Sequence, residues 1–242
     1  MSSFFNMDSP VMRFLSRLCD LMILNILCLI CCIPIVTIGA SITALYSVTL
    51  KMVKGEDSYI AKGFFKGFRQ NFKISTIIWL ILLVIGALLA FDFRAANMLP
   101  AALQNVFRVL VGAFITFYIL LFSYIFPYIA RFENGIKDTI KNSVLISILN
   151  LPRTLLIVLL PIGLVVFTFL TKTTLAYGSL LWFLMGVSFV AYVNSISFRI
   201  VFAKYEPSED EEEPSFDSEE VNETANEGRR KRSLLRRRSK PS

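Results

Sequence analysis

The sequence predicts an all-α, polytopic transmembrane helix bundle of about five spans, with a partly inserted or re-entrant helix after Pro34 and a disordered C-terminal tail. Three observations carry this. The 242 residues are 55% hydrophobic and only 18% charged, where soluble domains carry about 25% charge. Five stretches contain no charged residue at all: Leu21–Leu50, Ile74–Phe91, Val109–Ala130, Thr154–Thr171 and Thr173–Phe198. A helix crosses the bilayer core with about 20 apolar residues, in a range of roughly 17–25, so each stretch is long enough. The connecting segments, finally, alternate between strongly basic and charge-poor.

The expected transmembrane domain covers residues 1–205, with spans near 18–34, 74–92, 108–130, 154–171 and 174–198. Arg13 and Arg17 precede the first apolar run, as in a secretory signal. That run is about twice the 7–15 residues of a cleavable apolar core, so it reads as a retained anchor. Leu21–Leu50 is 30 residues long, and two full crossings need about 40. A full span, an elbow at Pro34–Gly39 and a broken, partly inserted helix over 35–53 fit best. Its strip of Ser41, Thr43, Tyr46, Ser47 and Thr49 suits a lumen-facing or interfacial helix. Irregular backbone at that depth must be packed by protein or line a cavity, so Pro34–Ser41 is expected against other helices.

Lys51–Lys73 carries net +4, and Arg131–Arg153 carries net +2. Asp92–Arg108 is basic only through Arg94 and Arg108. The positive-inside bias places segments 51–73 and 131–153 and the C-terminus in the cytoplasm of a multi-pass cell-membrane protein. Within the first of these, residues 59–73 form an amphipathic pattern. Phe64, Phe68 and Phe72 recur at i, i+4, i+8, while Lys62, Lys66, Arg69 and Lys73 fill another face. Such a segment lies in the headgroup plane, forms the entry to the next span, or docks a partner. Its echo, Glu133–Arg153, ends in Asn150-Leu151-Pro152-Arg153 as the first ends in Asn71-Phe72-Lys73. This hints at a duplicated unit, residues 59–130 and 136–200. The tail, 206–242, holds eleven acidic and eight basic residues; with so little apolar content it is expected to be disordered. No aromatics interleave with its arginines, so nucleic acid is not an expected partner.

Composition also excludes. Histidine is absent, which removes Ser-His-Asp and Cys-His catalysis and imidazole metal sites. No phosphate-binding glycine loop of the G-x-x-x-x-G-K-[ST] type occurs. Cys28, Cys31 and Cys32 share a helical face by i, i+3, i+4 spacing, a pattern open to a thiolate site but commoner as packing. Charges inside the spans are almost lacking: Asp20 is expected to pair with Arg17, and Asn25 and Asn194 to face the bundle interior. No cofactor, metal or catalytic residue is expected, and the chain does not read as an enzyme.

The run from Phe4 to Lys73, above all Pro34-Ile35-Val36-Thr37-Ile38-Gly39-Ala40-Ser41 followed by Thr43-Ala44-Leu45-Tyr46, resembles the YesL-like bacterial membrane proteins, a domain family of unknown function. Asn150, Pro152 and Arg153 fit as well, so Pro34, Gly39, Ser41 and these three are candidate structural residues of the family motif. The resemblance covers roughly residues 4–204 and excludes the tail. It implies a Gram-positive cell-membrane component, often encoded beside carbohydrate uptake and degradation systems. The expected role is an accessory component of such a system, with the bilayer and ABC-type sugar transporter subunits as partners. The stripe Lys62, Lys66, Arg69 and Lys73 would make the partner or membrane-surface contact. The alternative is an autonomous small-solute carrier.

Overall fold

The computed structural model describes residues 10–56, 59–98 and 100–205. The expectations for the tail therefore lie outside the described residues. The chain divides into two units, Met1–Val201 and Phe202–Ser242. Among the described residues eight α-helices follow one another: α1 (Pro10–Cys32), α2 (Ile38–Lys54), α3 (Ile60–Ala95), α4 (Ala101–Arg131), α5 (Ile136–Leu149), α6 (Leu151–Thr168), α7 (Lys172–Leu181) and α8 (Val187–Phe202). A π-helical turn, Trp182–Gly186, joins α7 to α8. No strand occurs among the described residues.

Six helical segments among the described residues are long and apolar enough to cross a membrane: Val11–Cys32, Ile35–Lys54, Ile60–Met98, Leu103–Arg131, Leu151–Thr168 and Lys172–Phe202. This is a multi-pass helical membrane protein. The first apolar run is a helical hairpin, and each arm reaches spanning length by extending past the uncharged residues. The arms are Val11–Cys32, 22 residues, and Ile35–Lys54, 20 residues. Arg17 of α1 and Met52 and Tyr59 line one recess at one end. Near the other end, the Cys28 thiol lies 4.0 Å from the Ser41 carbonyl oxygen. The two arms therefore run antiparallel, with their outer ends on one side.

The elbow departs from expectation. Ile33, Pro34, Ile35 and Val36 are exposed, and only Gly39, Ala40 and Ser41 are buried. Exposure is tolerated because the backbone there is satisfied locally. The Thr37 hydroxyl reaches the Cys31 carbonyl oxygen at 2.7 Å and that of Pro34 at 2.8 Å, and the Trp79 indole N–H donates to the Ile35 oxygen at 2.8 Å. The polar strip of α2 is not lumen-facing either. Ser41, Thr43 and Thr49 are buried; Thr43 bonds Ser75 at 2.9 Å and Thr49 bonds Ser195 at 2.8 Å.

Residues 59–73 do not form a separate surface helix. They open α3, which runs unbroken for 36 residues, about 54 Å at 1.5 Å per residue. No proline or capping glycine stands between Phe64 and Ile74 to interrupt it. Glycines set the register of α2 on α3. A Cβ on Gly67 would strike the Ser47 side chain, and one on Gly39 would meet the Trp79 Cβ at 2.5 Å and the Ser75 carbonyl oxygen at 2.7 Å. The hairpin thus packs along the basic first half of α3. The apolar second half pairs with α4, where the Tyr118 hydroxyl donates to the Leu82 carbonyl oxygen at 3.1 Å. Offset in this way, α2 stands toward the basic end rather than alongside the whole uncharged run of α3.

In the second half of the chain the basic helix and its span are separate elements, α5 and α6. Pro152 lies in the first turn of α6, and proline both lacks an N–H and pushes the residue before it out of the helical region.

Candidate functional site

The basic ends of α2, α3 and α4 meet at one end of the first unit. On α3, Lys62, Lys66, Arg69 and Lys73 are all exposed. Their i, i+4, i+7, i+11 spacing places them in one stripe about 60° wide at 3.6 residues per turn. Phe65 and Phe72 flank the stripe, 52% and 40% exposed. The opposite face is anchored by fully buried Phe64, packed in a core with Leu24, Leu45 and Val48. Phe64 stacks on Phe68 with centroids 6.2 Å apart, and Phe68 meets Phe72 in a tilted contact at 5.4 Å. The three phenylalanines form one column, but only its first member is wholly inside.

Beside the stripe is a cavity of about 110 Å³ lined by Ser47 and Lys51 of α2, Lys66, Gln70 and Asn71 of α3, and Arg131 of α4, with Glu133 on its rim. Gly63 and Gly67 face it as well, and their lack of side chains opens the space. Lys51 and Arg131 were legible as basic residues, but their convergence was not. It depends on the α2–α3 register that Gly67 permits.

The candidate motif residues have varied surroundings. Gly39 permits the close α2–α3 contact, and the buried Ser41 hydroxyl has no hydrogen-bond partner. Asn150 is buried and donates to the Ile146 carbonyl oxygen at 3.1 Å, closing α5. One Arg153 guanidinium nitrogen, Nη1, is buried with no partner. Next to it Thr154 carries a network that the sequence did not reveal. Its hydroxyl lies 2.8 Å from that of Tyr124 and donates to the Ser147 carbonyl oxygen at 2.8 Å.

Asn25 and Asn194 do face the interior, as expected. Asn194 donates to the Ile157 carbonyl oxygen at 3.3 Å, and Asn25 bonds the π turn. Arg17, expected on Asp20, donates to the Tyr192 hydroxyl at 2.7 Å. The Cys28 and Cys32 sulfurs are 4.0 Å apart and all four cysteines are free. Among the described residues no group of three or more acidic or thiol side chains is placed to hold a metal.

Fold and site together define a polytopic helical membrane protein with a basic, partly aromatic face at one end of its helices. A family model described as "Protein of unknown function, DUF624" matches residues 21–93, under a third of the chain. The matched segment runs from within α1 to near the end of α3 and contains the glycine-set α2–α3 contact and the cationic stripe. No curated protein and no solved structure matches the chain.

Proposed function

We propose that the chain is an accessory membrane protein without catalytic activity, which holds a cytoplasmic partner of acidic surface against the membrane. The observation that carries this is the stripe Lys62, Lys66, Arg69 and Lys73, exposed on a helix held rigidly by the buried Phe64 and Gly67. A pre-ordered row of four cations bordered along one edge by exposed Phe65 and Phe72 matches an acidic protein face with adjoining apolar contacts. The positive-inside bias puts this end, and with it the C-terminal end of the bundle, in the cytoplasm. A YesL-like role beside a carbohydrate uptake system, with ABC-type transporter subunits as the partner, rests on the sequence resemblance alone.

The interior supports an accessory role over an autonomous carrier. The buried polar side chains among the described residues are Asn, Ser and Thr, without a buried acid or base. An ion-coupled transport path ordinarily uses intramembrane charge. Most of these groups bond one another or helix backbone, as in Thr43 with Ser75 and Thr49 with Ser195.

Quantitative mass spectrometry of the tagged protein, gently purified from native membranes, tests the docking. Wild-type protein should retain defined partner subunits, and Lys62→Gln/Arg69→Gln/Lys73→Gln should lose them about tenfold. Unchanged co-purification would defeat docking through the stripe. Solute uptake by the purified protein alone in liposomes would favour the carrier.

A further inference from the structure

The small cavity between the basic ends of α2, α3 and α4 has a chemistry distinct from the exposed stripe. Lys51, Lys66 and Arg131 come from three different helices and line one space of about 110 Å³. That is the room of about four waters at roughly 30 Å³ each, the scale of one phosphate group. Gln70 and Asn71 add amide donors, and Glu133 is the one acid on the lining, so the cavity carries net +2.

Its depth indicates where a phosphate would come from. Lys51 is the first charge after the uncharged run ending at Leu50, and Arg131 is the first after the run ending at Ala130. Both stand where the apolar slab gives way to headgroups. Val48, Ile129 and Ala130 form the apolar wall of the same cavity. A cationic pocket between helices, at the level where the apolar runs end, matches the headgroup phosphate of an anionic phospholipid. Of the exposed stripe only Lys66 lines the cavity; Lys62, Arg69 and Lys73 are not on its wall.

We propose that Lys51, Lys66 and Arg131 form a specific site for the headgroup phosphate of an anionic phospholipid. The site shares only Lys66 with the partner-docking stripe, and its test turns on Lys51 and Arg131, which lie outside that stripe. It pins the basic end of the α2–α3–α4 unit to the leaflet.

The test uses the full chain in nanodiscs of phosphatidylglycerol mixed with phosphatidylcholine, with retained lipid counted by native mass spectrometry. Wild-type protein should retain phosphatidylglycerol in about tenfold preference. Lys51→Gln/Arg131→Gln should lose that preference, while Lys51→Arg/Arg131→Lys and Lys62→Gln/Arg69→Gln/Lys73→Gln should keep it. Helical circular dichroism and a single monodisperse peak confirm that each variant is folded. Equal retention of the two lipids by wild-type protein would overturn the proposal. So would equal loss in the stripe variant, which would mark general electrostatic attraction. Thermal stabilisation by inorganic phosphate in pure phosphatidylcholine discs, equal to that given by phosphatidylglycerol, would assign the site to free phosphate and overturn the lipid.

Discussion

The side-chain amide of Asn25 in α1 donates to the Phe183 carbonyl oxygen at 2.7 Å, inside the π turn that joins α7 to α8. It also donates to the Trp182 oxygen at 3.3 Å and accepts the Ser188 backbone N–H at 3.1 Å. A π turn inserts one residue and displaces the local carbonyls from their helical partners. In an apolar bundle each displaced group must find another partner. One asparagine supplies two donors and one acceptor, and Ser188 returns a bond from its hydroxyl to the Leu21 carbonyl oxygen at 2.6 Å. These groups are spent on holding α1 against the last span, which leaves them unavailable to a solute.

Asn25→Ala should therefore destabilise the fold by about 1–3 kcal/mol, the cost of leaving buried backbone groups unpaired. For a chain of this size that is roughly 2–4 °C of melting temperature per kcal/mol. Thermal unfolding in detergent checks it. An unshifted midpoint would mean that the amide does not hold the π turn.

The glycines separate into two kinds. At Gly39 a methyl group would meet the Trp79 Cβ and the Ser75 carbonyl oxygen, both fixed in α3, whereas at Gly163 nothing lies within 4 Å. Gly39→Ala must push α2 off α3 and should cost about 1–3 kcal/mol or more by overpacking. Gly163→Ala should be neutral or stabilise by up to about 1 kcal/mol, since alanine is the better helix former. Equal melting of the two variants would contradict the packing at Gly39.

Helices and their polarity were legible in the sequence because charge and hydropathy vary on the scale of whole spans. Asn25 and Asn194 were legible because an isolated amide in an apolar run has few places to go but inward. The helix over 35–53 was expected to be only partly inserted, whereas Ile35–Lys54 is long and apolar enough to span. A helix continues past its last uncharged residue: Lys51 and Lys54 belong to its final turn. The Lys51–Lys66–Arg131 cavity was hidden for a different reason. It depends on which turn of α2 faces which turn of α3, and Gly67 against Ser47 fixes that only in three dimensions.

Tyr124 and Thr154 form the buried joint between α4 and the α5–α6 break. Tyr124 donates its hydroxyl hydrogen, so Thr154 can donate its own to the Ser147 carbonyl oxygen. Tyr124→Phe should cost less than Thr154→Val, because only the second leaves a backbone carbonyl short of a donor. A double-mutant cycle should give a coupling near 0.6 kcal/mol, with about 1.7 as the ceiling for such bonds in membrane bundles. Denaturant unfolding of the two single variants and the double variant measures it. Strict additivity would remove the bond from the account of the joint.

The hairpin fixes the sidedness of the chain. Arg17, Met52, Glu56 and Tyr59 surround one recess, so the start of α1 and the α2–α3 link share a side, and the α3–α4 link lies on the other. Val11, Tyr59 and Met98 are 59%, 85% and 89% exposed and suit single-cysteine labelling in a background with Cys19, Cys28, Cys31 and Cys32 replaced. Lys51, Lys54, Lys62 and Lys66 near Tyr59 outweigh the charge around Met98, so the positive-inside bias predicts a cytoplasmic Tyr59. An impermeant maleimide applied to intact cells should label Met98→Cys, and should reach Val11→Cys and Tyr59→Cys only after permeabilisation. Labelling of Val11→Cys and Tyr59→Cys from opposite sides would show that the first apolar run crosses once, and would break the hairpin.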